Sequence, residues 1–125
     1  MHKSIMILVT VALLTCLTAA SKPKAQVTFI ELGSEKCVPC KMMKPVMAGI
    51  EKEYLGKVEV IFYDVWKPEY KAMSSKYKVR VIPTQVLLDS RGKEFHRHEG
   101  FYPQEEMMKV IDAQLGIKRA VPAGE

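Results

Sequence analysis

Cysteine is scarce in this chain, three among 125 residues, and the scarcity excludes several functions at once. Only Cys37 and Cys40 stand close together, so no second pair exists to complete a structural zinc site, and no framework of several disulfides can form. Covalent haem attachment needs a histidine directly after the second cysteine, where Lys41 stands. Runs of like charge are missing too. Nineteen basic and 14 acidic residues give a formal net charge of +5, but they alternate along the chain. There is neither the basic block nor the interleaved aromatics of a nucleic-acid groove, and the charge reads as a solvated surface. No internal repeat or low-complexity segment is present. At 125 residues there is room for one modest core and no second domain.

The N-terminus differs in composition from the rest. Lys3 precedes the apolar run Ile5 to Leu17, too short to span a bilayer, and the small residues Ala19-Ala20-Ser21 follow. This pattern predicts a secretory signal peptide over 1–20, cleaved after Ala20. The mature protein would lie outside the cytoplasm, in the periplasm, without Cys16. The alternative is a lipid anchor on Cys16, since Leu13-Leu14-Thr15-Cys16 resembles a lipoprotein lipobox, although Thr15 stands where that motif wants Gly, Ala or Ser. Beyond the signal we expect a flexible lead over 21–26, a domain over 27–116 and a C-terminal tail over 117–125.

Within the domain the apolar spacing predicts an alternating α/β chain. Val27–Leu32 reads as a strand. A helix from about Cys37 to Tyr54 places Met43, Met47, Ile50 and Tyr54 on one face, with a kink expected ahead of Pro45. Val58–Tyr63 is rich in β-branched and aromatic residues and reads as a strand parallel to the first, because a helix connects them. Pro68 suits the first turn of a second helix reaching Tyr77. Thr84–Leu88 and Lys93–His98 flank Asp89-Ser90-Arg91-Gly92, a hairpin turn. A last helix runs from near Pro103 to Gly116, burying Met107, Val110, Ile111 and Leu115. The order is β-α-β-α-β-β-α.

Two cysteines separated by Val38 and Pro39 can close and reopen a disulfide at little conformational cost, so the pattern points to dithiol–disulfide exchange. Cys37 falls at a strand-to-helix junction. Helix amides there favour a thiolate, lowering a free thiol pKa of about 8.5 towards roughly 3.5–7.5. Cys37 is therefore the expected nucleophile and Cys40, one turn further along and shielded, the resolving thiol.

Three separated features together resemble the thioredoxin superfamily, over about Val27 to Leu115. Cys37-Val38-Pro39-Cys40-Lys41-Met42-Met43-Lys44-Pro45 looks like its active-site helix, Val81-Ile82-Pro83-Thr84 like its cis-proline loop, and Glu31 stands where thioredoxins carry a buried acid. The resemblance implies a thioredoxin-like fold, with a central mixed four-stranded sheet and flanking helices. It also implies a thiol-disulfide oxidoreductase needing no cofactor or metal beyond its own redox-active disulfide. Glu31 would accept the proton of Cys40. Ile82 and Pro83 would present backbone to an extended substrate, with Val38, Pro39 and Trp66 completing the contact surface.

Departures from the family bear on function. Lys36 and Val38 replace the Trp and Gly that flank the first cysteine in thioredoxins, and Val60 replaces the lysine that partners the buried acid. Strongly oxidising relatives usually carry His between the cysteines, whereas Pro39 goes with reductases. We therefore expect a monomeric extracytoplasmic reductase. Its substrates would be disulfide-containing proteins, and its electrons would come from a membrane thiol donor of the cytochrome-c-biogenesis type. A copper-binding thioredoxin-like chaperone using Cys37, Cys40, Met42, Met43, His96 or His98 is one alternative. Disulfide oxidase or isomerase work is another. A purely structural cystine is disfavoured, since a loop this short restrains the unfolded chain little.

Overall fold

The structure is a computed structural model, and it describes residues 21–120. The expected signal segment, with Cys16, lies outside the described residues. Seven regular elements and one short 3-10 turn follow the anticipated order. They are β1 (Val27–Gly33), α1 (Val38–Glu53), β2 (Val58–Asp64), the 3-10 turn Pro68–Tyr70, α2 (Lys71–Lys76), β3 (Thr84–Asp89), β4 (Glu94–Glu99) and α3 (Gln104–Leu115). The sheet order is β2-β1-β3-β4. β1 and β2 are parallel, as their helical connection requires, and the remaining pairs are antiparallel.

Period-two alternation in β1 sorts its side chains between two faces. Val27 and Phe29 join Met43, Val46 and Ile50 of α1, Leu87 of β3, and Met107 and Ile111 of α3 in the larger core. Ile30 and Leu32 join Val65 and Val86 on the opposite face, where Tyr63, Met73, Tyr77 and Val79 pack against them. Glu31 and Gly33 share the parity of Val27 and Phe29, so they face the α1 side of the sheet.

α1 is one element with Pro45 inside it, as the expected helix from about Cys37 to Tyr54 has it. Elsewhere the helices depart from expectation in detail. The single helix expected from Pro68 to Tyr77 is instead a 3-10 turn followed by a six-residue helix. Lys78 then adopts a positive φ of 52°, ending the element. Cys37 is the N-cap of α1, with extended φ and ψ, rather than its first helical residue. α3 stops where Gly116 takes the left-handed conformation, φ 67°, that glycine adopts without steric cost. Beyond it, Arg119 pairs with Asp112 and Glu53, while Tyr54 donates its hydroxyl hydrogen to Asp112 Oδ1 at 2.6 Å. The ends of α1 and α3 are thereby joined.

Candidate active site

The β-register brings the separated motifs to one end of the sheet. Gly33 at the end of β1 lies opposite Asp64 at the end of β2, and Leu32 pairs with Thr84 at the start of β3. The cysteine loop, Trp66 and Pro83 therefore all emerge from this edge.

Ser34 and Asp64 build the turn that presents Cys37. Ser34 is buried; its carbonyl accepts the Cys37 amide hydrogen at 3.2 Å and its Oγ accepts from the Lys36 amide at 3.2 Å. Asp64, also buried, accepts from the Glu35 amide through Oδ2 and from the Trp66 amide through Oδ1, both at 3.1 Å. Burial alone would raise the Asp64 carboxyl. The Glu35 and Trp66 amides and the Ser34 hydroxyl outweigh that and hold it below the ordinary range. One ionised side chain thus ties together the two loops that flank the site.

Cys37 and Cys40 are joined as a disulfide, with Cα atoms 5.2 Å apart. Cys37 is half-buried, while Cys40 is 3 % exposed. Solvent therefore reaches the first cysteine and scarcely the second. Cys40 lies against Gly33, where an added Cβ would sit 3.0 Å from its Sγ. A side chain there would press on Cys40, which would have to give by a few tenths of an ångström. Val38 and Pro39 are exposed between the two cysteines. Lys36 stands beside Cys37, and the neighbouring Glu35 carboxylate is engaged by Lys67 at 3.2 Å.

Glu31 is fully buried on the same face of β1 as Gly33. Desolvation drives its carboxyl up from 4.5 to about 8, against a smaller lowering by a hydrogen bond from Gln85. Gln85 is its cross-strand partner on β3 and donates from Nε2 to Glu31 Oε1 at 3.1 Å. Val60 packs against the larger core, in register with Phe29. Gln85 escapes a reading of the sequence because a lone amide in an apolar strand looks like an outward-facing residue. The only signal for it is that Thr84 to Leu88 has no clear alternation.

The Ile82–Pro83 peptide bond is cis. Thr84 Oγ1 donates to the Val81 carbonyl at 2.7 Å, and the Gly100 amide donates to the Pro83 carbonyl at 2.8 Å, which hold the loop from both sides. Trp66, 60 % exposed, lines a groove of about 310 Å³ with Val65, Val79, Val81 and Ile82. The larger groove, about 370 Å³, lies at the opposite end of the sheet beside Leu55 and Val58 and is remote from the cysteines. Among the described residues no three His, Cys, Asp or Glu side chains are grouped to hold a metal. His98 Nε2 lies 3.1 Å from the Phe101 carbonyl oxygen and His96 Nε2 3.0 Å from the Tyr102 hydroxyl. Met43 Sδ accepts the Tyr102 amide hydrogen.

Comparison with known proteins agrees with this geometry. A family model described as a thioredoxin-like domain matches residues 16–115. Thioredoxin from Staphylococcus aureus is 32% identical over 95 residues, spanning 76% of this chain and 88% of its own length. Among solved structures, a mutant thioredoxin from Halobacterium salinarum NRC-1 matches with a TM-score of 0.64 at 26% identity, covering 80% of this chain and 81% of that one. A malarial protein matches with a TM-score of 0.65 at 22% identity, covering 72% and 98% respectively, and speaks to the fold alone.

Proposed function

Because this chain belongs to the thioredoxin superfamily and is a thiol-disulfide oxidoreductase, we propose that it works as a reductase of protein disulfides outside the cytoplasm. The observation that carries the reading is the pairing of an accessible Cys37 with a buried Cys40 across a Val-Pro spacer, with no histidine to stabilise the reduced thiolate.

In the forward reaction the Cys37 thiolate attacks one sulfur of the substrate disulfide, and the other substrate sulfur leaves as a thiolate that takes up a proton. Cys40 then gives its proton to the Glu31 carboxylate and attacks the Cys37 sulfur, and the second substrate sulfur leaves as a thiolate that takes up a proton from solvent. Two electrons pass from the dithiol to the substrate, and the Cys37–Cys40 disulfide remains. Extended substrate lies along the Ile82–Pro83 backbone and over Val38, Pro39 and Trp66. Regeneration falls to a membrane thiol donor of the cytochrome-c-biogenesis type, in keeping with the signal-like residues 1–20.

A redox titration of the mature protein against glutathione and dithiothreitol, run beside a copper titration and an insulin-reduction assay, tests the reading. We expect a potential nearer that of thioredoxin, about −270 mV, than the oxidant end near −120 mV. A value above roughly −180 mV would replace the reductase with an oxidase or isomerase. Stoichiometric copper binding would replace it with a metal carrier. Intact mass of secreted material decides between a chain starting near Ser21 and one carrying lipid on Cys16.

A further inference from the structure

Glu31 and Gln85 are both fully buried, and each retains one oxygen without a hydrogen-bond partner among the described residues: Oε2 of Glu31 and Oε1 of Gln85. Two unpaired buried oxygens in touching side chains are costly unless they serve a purpose. The groups facing the pair are few. Cys40 of α1 lies against Gly33, two residues along β1 from Glu31 on the same face, and Phe62 of β2 is in register with Glu31. From β4 comes His98, in register with Gln85 but turned to the Phe101 carbonyl, and the α3 residues on this face are the apolar Met107 and Ile111. Asp64, further along β2, is occupied by the Glu35 and Trp66 amides, while Lys41 and Lys44 of α1 are exposed. Among the described residues no cation faces the carboxyl.

We propose that Gln85 is a positioning residue for the exchange reaction: its amide, the one polar partner of Glu31 among the described residues, holds the carboxyl through Oε1 and leaves Oε2 open to take the proton that Cys40 gives up. The proposal rests on Glu31 serving as the proton acceptor. An uncharged donor fixes the carboxyl's orientation without forcing it to ionise, as an ammonium in the same place would. Burial and this single hydrogen bond together hold the acid at about 8, so the carboxylate that accepts the proton grows as pH rises through that value. Gln85 thereby sets the pH range over which the mixed disulfide resolves.

The test pairs an NMR titration of the Glu31 carboxyl in the full oxidised protein with stopped-flow measurement of the resolving step across the same pH range. Gln85→Leu removes the donor and should move both midpoints up by about one pH unit, a tenfold change in proton affinity. Gln85→Lys places an ammonium at the same register and should move both down. Gln85→Met, which keeps the chain length without the amide, serves if either variant fails to fold. Uniform slowing at every pH, with no midpoint moved, marks Gln85 as packing only and overturns the proposal. If the carboxyl midpoint moves while the kinetic midpoint stays, Glu31 is not the acceptor, and the proposal falls through that role. Neither arm depends on the direction of electron flow, so a failed reductase assay leaves the test intact.

Discussion

On one face of the sheet α1 and α3, 16 and 12 residues long, cover Phe29, Leu87 and Val27 so fully that none is exposed. On the other, α2 supplies six residues, and the partly buried Met73, Tyr77 and Val79 close over Ile30, Leu32 and Val86. The same strands thus border a deep core on one side and a shallow one on the other. The chemistry follows the depth. Glu31 points into the deep side, where desolvation pushes its carboxyl up to about 8. The groove beside Trp66 belongs to the shallow side, where apolar groups stay accessible to a partner. A one-residue slip of β1 would exchange the two and place the acid under the thin cover.

Truncation of the cores should show the largest contrast. Phe29→Ala should cost about 3–5 kcal/mol, as for a large aromatic removed from a closed core, and Met73→Ala only about 1 kcal/mol. Urea midpoints measure both, and equal losses would erase the distinction between the faces.

Glu31→Gln tests the deep side through pH. The folded carboxyl sits at about 8 against an ordinary 4.5, so below 4.5 it is neutral in folded and unfolded chains alike and costs nothing. Between those values the unfolded chain loses the proton and the folded one keeps it, so stability falls by at most about 1.4 kcal/mol per pH unit. Above 8 the loss is complete. Removing the carboxyl should flatten this slope and gain on the order of a few kcal/mol at the alkaline end. Parallel stability curves for the two proteins would show that the acid is not dry.

Gly33→Ala probes the point where the deep core meets the disulfide. A methyl 3.0 Å from Cys40 Sγ should cost roughly 1–3 kcal/mol and displace that sulfur. Iodoacetamide mapping of the reduced protein should then find Cys40 more accessible than in the parent, where we expect Cys37 to take the label. Unchanged labelling would mean the helix start yields freely.

The smallest effect on stability belongs to the shallow side. Trp66→Ala should leave the urea midpoint within about 0.5 kcal/mol, because the ring is mostly exposed. It should raise KM for a protein disulfide several-fold, with kcat little changed, as expected for an aromatic contact worth roughly 1 kcal/mol. A fall in kcat with KM unchanged would assign the ring to the chemistry instead.

Much of this was legible in advance where local chemistry dominates. The cysteine spacing, the strand signals of Val27–Leu32 and Val58–Tyr63, the Asp89–Gly92 hairpin and the Gly116 stop each depend on residues that are neighbours in the chain. Pro68–Tyr77 read less well. Pro68 does open a helical turn, but the stretch has too narrow an apolar stripe, Met73 and Tyr77 alone, to hold one helix against the sheet. Asp64 and Ser34 were visible as residues but not as the staples of the cysteine turn, since the Asp64-to-Glu35 hydrogen bond joins positions 29 residues apart.

The dithiol and the difference in exposure between its two cysteines are written in adjacent residues, because a helix start and a three-residue spacing are enough to set Cys37 outward and Cys40 inward. The protonation of Glu31 is not. A carboxyl's affinity for its proton depends on what displaces water around it, and that is assembled from β1, α1 and β3 only when the chain has folded. The same holds for its partner: Gln85 lies 54 residues away in sequence, and only strand register brings its amide to 3.1 Å from the acid.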